Sequence, residues 1–511
     1  MSPTFGPMPV KLRQTWPAVS RMRLQSLQTV SELNMADTVK LMGLDFGTTT
    51  SSAVIAGAHL RRTATGRVEL DCQQEIYRSE LVFTPLQADD RLDLAQLERL
   101  LDAWLEAGHV KAGELFGGGA LLTGLTARKE NAPALVRLIR RRLGDTLVAT
   151  ADDPCLESWL AFMGSCAELS RQHPDKAILN LDIGGGTTNI ALGQDRQVKR
   201  TGCLFLGARH VQVVPGTYEI VKLSNYAREL FEHLDIDRGP GDHLPKAEVD
   251  AILTFYLTIL EAVCSRRAEL MQSPVVKRME QVRIELPSET RDVVVTFSGG
   301  VGELVYRHLQ GAPWPATTHY GDLGIDLARR ITQSPVWADS LRHYRPRSGG
   351  RATVYGLLRH TTEVSGATLF LGAPAILPLR DLPILGCLRA DSTQSQIRDV
   401  LALVRRSSRG GCVQVRLGSH ETSVVRGLGQ RISQVLQQDA FPATHPLVLL
   451  VQENLGKVLG QYVTRWGALP LHLLVVDEVV LRDAQYVQIG ALRDQVVPVS
   501  FFGFLPKGDL A

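Results

Sequence analysis

Two stretches of this chain end an apolar run in an aspartate and follow it at once with glycine and threonine: Leu44-Asp-Phe-Gly-Thr-Thr-Thr50 and Leu181-Asp-Ile-Gly-Gly-Gly-Thr-Thr188. A third glycine turn, Phe297-Ser-Gly-Gly-Val-Gly-Glu303, lacks the aspartate and leads into a helical segment. Glycines leave backbone amides open to close approach by phosphate oxygens, and threonine hydroxyls add further donors. A carboxylate at the mouth of such a turn can hold the water shell of a divalent cation that offsets phosphate charge. The candidates are therefore Gly47, Thr48 and Thr49 in the first turn and Gly184, Gly185, Gly186 and Thr187 in the second. Asp45 and Asp182 are the metal-holding, catalytic carboxylates, and Gly299, Gly300 and Glu303 line the third turn. One Asp-x-Gly-Thr stretch alone is explained by a capped hairpin. Its repetition at an offset of 137 residues, from 45 to 182, is a domain-sized period and predicts two like lobes whose aspartates face each other across a cleft.

The elements that must position these residues alternate between strands and helices. Lys40–Asp45 and Ser52–Ala56 read as a hairpin around the first turn, and Ala120–Gly124 and Lys176–Asp182 as buried strands. Asp93 caps a helix whose leucines 94, 97, 100, 101 and 105 recur at helical spacing, with Gly108 closing it. Asn131 precedes a second helix in which Arg140 to Arg142 form a solvated end. A third helix runs from Pro154 through Leu169, and a fourth from about Ala247 to Arg267. Beyond residue 368 the texture changes: Pro374, Pro378 and Pro383 punctuate short apolar pieces. There Pro446–Val451, a helix with Leu455, Val458 and Leu459, and Leu471–Val476 predict a second parallel sheet, closed by a hairpin of Tyr486–Ile489 with Val496–Phe502. The expected organisation is a flexible basic extension over 1–38, a two-lobed α/β core over 39–368 and a C-terminal α/β domain over 369–511.

Composition narrows the function. With 511 residues, 56 Lys plus Arg against 53 Asp plus Glu and a net charge of +3, the chain is too balanced for a general nucleic-acid coat. Seven cysteines without a C-x-x-C pair suit a reducing cytoplasm and argue against a zinc cage or disulfide framework. No apolar run reaches the roughly 20 residues of a membrane-spanning helix. In the first 34 residues, Met22, Leu24, Leu27, Val30 and Leu33 could line one side of a short docking helix; a frayed leader ahead of Met35 is the alternative.

Taken in order, the three turns resemble the phosphate-1, phosphate-2 and adenosine signatures of the actin, heat-shock-70 and sugar-kinase ATPase superfamily. The resemblance implies two lobes built on ribonuclease-H-like sheets that close on ATP and Mg2+. It also makes the helix from Pro154 the first interlobe connection, and puts Tyr320-Gly-Asp322 and Val354-Tyr-Gly356 near the second. Within the superfamily the chain is similar to the ethanolamine ammonia-lyase reactivating factors. That likeness covers about residues 40 to 505 and includes Thr123–Ala132, Leu156–Ser158, Leu379–Pro383, Gln452–Gly460, Val476–Val480 and Val496–Val499. The sequence departs from the family pattern at Leu125, where an acid is usual, and in Asp483–Gly490, where Gln488 replaces another.

The resemblance implies a chaperone-like, slow Mg-dependent ATPase that releases damaged cobalamin from ethanolamine ammonia-lyase so that adenosylcobalamin can enter. Glu157 would then lie near the magnesium water shell; a first-turn acid serving the helix dipole is the other reading. The same superfamily offers a small-molecule kinase, or a nucleotide-dependent filament or scaffold, as alternatives. The expected partner is the lyase, with no nucleic acid and no membrane, and no Asp-x-His-x-x-Gly cobalamin signature is present. The expected place is the cytoplasm, with microcompartment association and the protein's own oligomeric state left open.

Overall fold

In the computed structural model, the described residues are 38–504 except 63–67, 88–89, 144–147, 152, 266, 288–292, 348, 359–361, 367, 374–375 and 494. The readings made of residues 1–37 lie outside them. The first sheet comprises β1 (Thr38–Phe46), β2 (Thr50–Arg62), β3 (Val68–Arg78), a short β4 (Val82–Phe83), β5 (Leu115–Leu122) and β6 (Val148–Ala151). Its order is β3-β2-β1-β5-β6, with β4 beside β2. β1 runs parallel to β5, and both read as near-continuous apolar runs because parallel strands are covered on both faces. One covering layer is α1 (Leu94–Ala107) and α2 (Ala132–Leu143), whose Leu97, Leu101, Leu135 and Ile139 share a core with Leu44 and Phe46. The Asp93 carboxylate accepts the Gln96 amide at 3.0 Å, and Gly108 ends α1.

The second sheet repeats this plan. β7 (Ile178–Ile183), β8 (Thr188–Gln194), β9 (Gln197–Leu204), β12 (Glu280–Val282) and β13 (Val294–Ser298) lie in the order β12-β9-β8-β7-β13; β10 (Val211–Val213) and β11 (Ile220–Leu223) form a separate pair. In both sheets the strand that carries the aspartate sits between its hairpin partner and a parallel strand from further along the chain. The duplication inferred from the 137-residue offset is thus present as matched strand order.

The helix opening at Pro154 is α3 (Pro154–Ser165), and it stops short of Leu169. Ser165 Oγ bonds back to the Ala161 carbonyl at 2.5 Å, a pattern that bends helices, and Cys166 separates α3 from α4 (Ala167–Gln172). The expected fourth helix is α5 (Lys246–Ser265), and the third glycine turn opens α6 (Gly299–Leu309). A short α7 (Ala352–Gly356) crosses α3 almost backbone to backbone. A Cβ at Gly164 would lie 1.9 Å from the Ala352 carbonyl oxygen, and one at Gly356 would lie 2.3 Å from that of Leu160.

A third sheet has the order β14-β21-β20-β16-β17-β18-β19-β15. Its strands are β14 (Thr362–Val364), β15 (Phe370–Leu371), β16 (Leu379–Arg389), β17 (Gly411–Arg416), β18 (Leu447–Val451), β19 (Leu473–Val476), β20 (Ala484–Ile489) and β21 (Pro498–Phe504). β16 to β19 are parallel, and α8 (Gln394–Arg406), α9 (Thr422–Gln438) and α10 (Gly456–Val463) pack into one core with them. Arg140 is not a solvated helix end. Its guanidinium meets both Asp381 oxygens at 2.9 Å, joining α2 to β16, because a planar fork opposite a carboxylate makes two parallel charged hydrogen bonds.

The crossing of α3 and α7 predicts a steric cost. Gly164→Ala should destabilise the chain by about 1–3 kcal/mol through overpacking. Gly113→Ala, where a Cβ meets nothing within 4 Å, should stay within about 0.5 kcal/mol. Urea midpoints of the two variants check this.

A carboxylate-lined cleft as the candidate functional site

The first two glycine turns are built alike at the level of single hydrogen bonds. The Gly47 amide donates to the Thr50 carbonyl at 2.9 Å, and the Gly184 amide donates to the Thr187 carbonyl at 2.9 Å, the same pair of positions 137 residues apart. Around the first turn, the Thr84 and Thr126 hydroxyls both donate to the Gly47 carbonyl, at 2.7 and 2.8 Å. Around the second, the Ala208 and Arg209 amides donate to the Gly184 and Gly185 carbonyls at 3.0 and 2.6 Å. The turns also interlock: a Cβ at Gly185 would lie 2.3 Å from Thr49 Oγ1, and one at Gly186 would lie 2.8 Å from Leu125 Cγ and 2.9 Å from Thr48 Oγ1.

The residues expected to bind phosphate, metal and nucleoside line one cavity of about 880 Å³: Gly47, Thr48 and Thr49, Gly184 to Thr187, Gly299 and Gly300, with Asp45, Glu157, Asp182 and Glu303. The third turn divides internally. Gly299 has φ +75 and its Cβ would strike the Ile183 carbonyl oxygen at 2.6 Å, so strand packing alone demands glycine there. A Cβ at Gly300 would meet nothing of the chain within 4 Å, and the residue lines the cavity.

The carboxylates are poorly solvated. Asp182 is 7% exposed, and Asp45 and Glu157 are half-buried at the floor of the cavity. Burial pushes Asp182 up to about 7; the Ser298 hydroxyl, which donates to its Oδ1, works against that rise, and the charge of Asp45 adds to it. Glu157 is held well above the usual carboxylate range, first by burial and then by the charges of Asp45 and Asp182. Burial also raises Asp45, opposed by the Thr353 hydroxyl at 2.7 Å and the Thr123 hydroxyl at 3.1 Å.

Sequence reading assigned no role to several residues that shape this site. Ser298 and Thr123 lie inside the quoted motifs, and Asn189 directly follows Thr187-Thr188, so proximity in sequence was a usable signal for them. Thr353 directly precedes the quoted Val354-Tyr-Gly356, but nothing local pointed it at Asp45, 308 residues away. Leu125 touches the first turn through its main chain, its amide donating to Thr48 Oγ1 at 2.8 Å. Gln488 is buried within β20 of the third sheet, away from the residues lining the cavity.

The donor set fits a hydrated divalent cation. Asp45 and Asp182 both raise Glu157, Asp45 raises Asp182, and the buried Asn189 Oδ1 has no hydrogen-bond partner. Among the described residues, no three histidine, cysteine or acidic side chains converge closely enough to ligate one ion directly. An ion here would keep its waters and be held through them, as magnesium commonly is.

The site is a carboxylate-lined cleft beside two matched glycine-threonine turns in an α/β chain with a duplicated sheet. Residues 37–502 match the family described as Ethanolamine utilisation protein EutA, and the chain belongs to that family. It is similar to the ethanolamine ammonia-lyase reactivase EutA of Escherichia coli (strain K12), with 29% identity over 484 residues that cover 90% of this chain and 97% of that one. It is also 29% identical over 491 residues to the reactivase of the same name from Salmonella typhimurium, again covering 90% and 97%. Among solved structures it is similar to MreB 5 of Spiroplasma citri bound to AMPPNP, at TM-score 0.26 and 14% identity over 59% of this chain and 98% of that one. A second such structure is the ROK hexokinase of Thermus thermophilus, at TM-score 0.27 and 15% identity over 63% and 97%. Among the described residues no helix is long and apolar enough to cross a membrane.

The raised carboxylates predict how ligand-free stability responds to pH. Asp182 rises from an ordinary 3.8 to about 7 on folding, so between those values the folded chain binds more protons than the unfolded one. Stability from this group therefore falls as pH climbs from about 4 to about 7, and the full penalty stands above 7. Asp182→Asn should melt higher than the unchanged chain at pH 8, with the gain shrinking towards pH 5. Thermal melts at the two pH values test this, and a gain independent of pH would contradict it.

Proposed function

We propose that this protein is a chaperone-like ATPase that reactivates ethanolamine ammonia-lyase, expelling damaged cobalamin so that adenosylcobalamin can take its place. One observation carries the reading: a family member related along 90% of its length to proteins named reactivases keeps an intact pair of interlocked glycine-threonine turns over buried carboxylates. In this reading Gly47, Thr48, Thr49 and Gly184 to Thr187 bind the phosphates of ATP, and Gly299, Gly300 and Glu303 border the nucleoside. Residues 39–368 form the ATPase core and 369–511 the domain added to it. Magnesium, when bound, supplies the positive charge that lets phosphate oxygens and carboxylates share the cleft.

The chain's own residues do the remaining work. Asp45 and Asp182 hold the ion's water shell from opposite turns, and Glu157 orients water beside them. No activated nucleophile is required, because phosphoryl transfer to water depends mainly on positioning and electrostatics, so turnover should be slow. Nucleotide state can drive release of cobalamin only if the two cleft arrangements differ in affinity for the lyase. Both turns grip one ligand, so loss of its terminal phosphate loosens the contact between them. The lyase is the protein partner, and the protein itself need not hold cobalamin.

The decisive assay mixes the purified protein with lyase blocked by cyanocobalamin, adds Mg-ATP and adenosylcobalamin, and follows the return of deaminase activity. Activity should return with the unchanged chain. Asp182→Ala should abolish the return while its circular dichroism and melting remain those of a folded chain; full reactivation by that variant would defeat the assignment.

A further inference from the structure

We infer that Asn180 is a positioning residue for the cleft, acting on Asp182 through Ser298; this rests on the reading of the cleft as a Mg-ATP site. Asn180 lies in β7 two residues before Asp182, so both side chains leave the strand on one face. The parallel register pairs Asn180 with Thr296 and Asp182 with Ser298, two rungs apart on β7 and β13 with Leu181–Phe297 between them. Asn180 Nδ2 donates to Ser298 Oγ at 2.8 Å, and Ser298 Oγ donates to Asp182 Oδ1. Behind Asn180, Thr296 Oγ1 donates to Asn180 Oδ1 at 3.1 Å, and Cys166 Sγ lies 3.5 Å from the same oxygen.

Counting protons makes this chain of bonds directional. An ionised carboxylate only accepts, and a serine hydroxyl has a single proton. With that proton committed to Asp182, Ser298 Oγ needs a donor, and the Asn180 amide supplies it. The amide oxygen of Asn180 must then face the other way, towards Thr296 and Cys166. Asn180, Thr296, Ser298 and Cys166 are fully buried, among the equally buried Leu179, Leu181 and Phe297. Burying four polar groups in an apolar core costs more than filling the space with apolar groups of the same shape. Their arrangement has an end at the cleft, where Ser298 pins Oδ1 of Asp182, a residue that lines the cavity.

The test is calorimetric binding of ATP to the full chain, with Mg2+ and with EDTA. Ser298→Ala and Asn180→Leu, the latter a replacement of like shape, should each weaken Mg-dependent binding about tenfold, the range for a lost hydrogen bond to a charged group. Binding in EDTA should not change. The double variant should be no weaker than either single one, because Asn180 acts only through Ser298. Overturning results are wild-type affinity for Asn180→Leu, or losses that multiply in the double variant as independent packing defects would. Should Asn180→Leu fail to fold, Thr296→Val carries the test: a few-fold loss, restored by Thr296→Ser and absent in the Ser298→Ala background, supports the inference, and any other pattern overturns it. No Mg-dependent ATP binding by the unchanged chain would overturn the nucleotide reading itself, and this inference with it.

Discussion

Burial of three carboxylates, Asp45, Glu157 and Asp182, around one cavity is the constraint on which the rest of the site depends. Burial raises all three; the charges of Asp45, Asp182 and Asp153 raise Glu157 further, that of Asp45 raises Asp182, and neutral hydroxyl or amide donors work the other way. Carboxylates confined this way must either take up protons or share a cation that arrives from outside. The hydroxyls of Thr123, Thr353 and Ser298 fix where the carboxylates point without cancelling their charge. A permanent salt bridge would instead have neutralised them within the chain.

The cleft is lined from two sheets, through the turns after β1 and β7, and those turns are in contact. Thr48 and Thr49 occupy the space that side chains at Gly185 and Gly186 would fill, so the turns interdigitate. The crossing of α3 over α7 supplies the site from another side: Glu157 belongs to the first turn of α3, and Thr353 lies in α7. The glycines that bring those two helices into contact therefore also set the position of two residues at the carboxylate floor.

The third sheet is fastened to the same helix. The Asp153 carboxylate, which caps α3, also accepts the Gly503 amide at 2.6 Å, and Trp159 stacks on Phe504 with ring centres 5.8 Å apart. Arg482 lies 4.9 Å over the Trp159 ring, and α2 adds the Arg140–Asp381 pair. α3 thus faces the cleft through Glu157 and the third sheet through Asp153 and Trp159. A shift of this helix cannot leave either side unaffected, because close-packed interiors transmit displacement.

What the sequence determined by itself was everything carried by short-range pattern. The repeated Asp-x-Gly-x-x-Thr pattern named both turns and both aspartates, and the apolar runs before them identified β1 and β7, since a strand buried on both faces must be apolar along its length. Asp93, Gly108 and the leucine spacing between them marked α1 for the same local reason. Only the tertiary structure decided which distant groups complete the site. Thr353 reaches Asp45 across 308 residues, Asn180 acts on Asp182 through a serine on another strand, and Arg140 turns from solvent to Asp381. A hydrogen bond has no preference for sequence separation; it requires a donor and an acceptor to be brought within about 3 Å, and the packing of three sheets alone determines which ones meet.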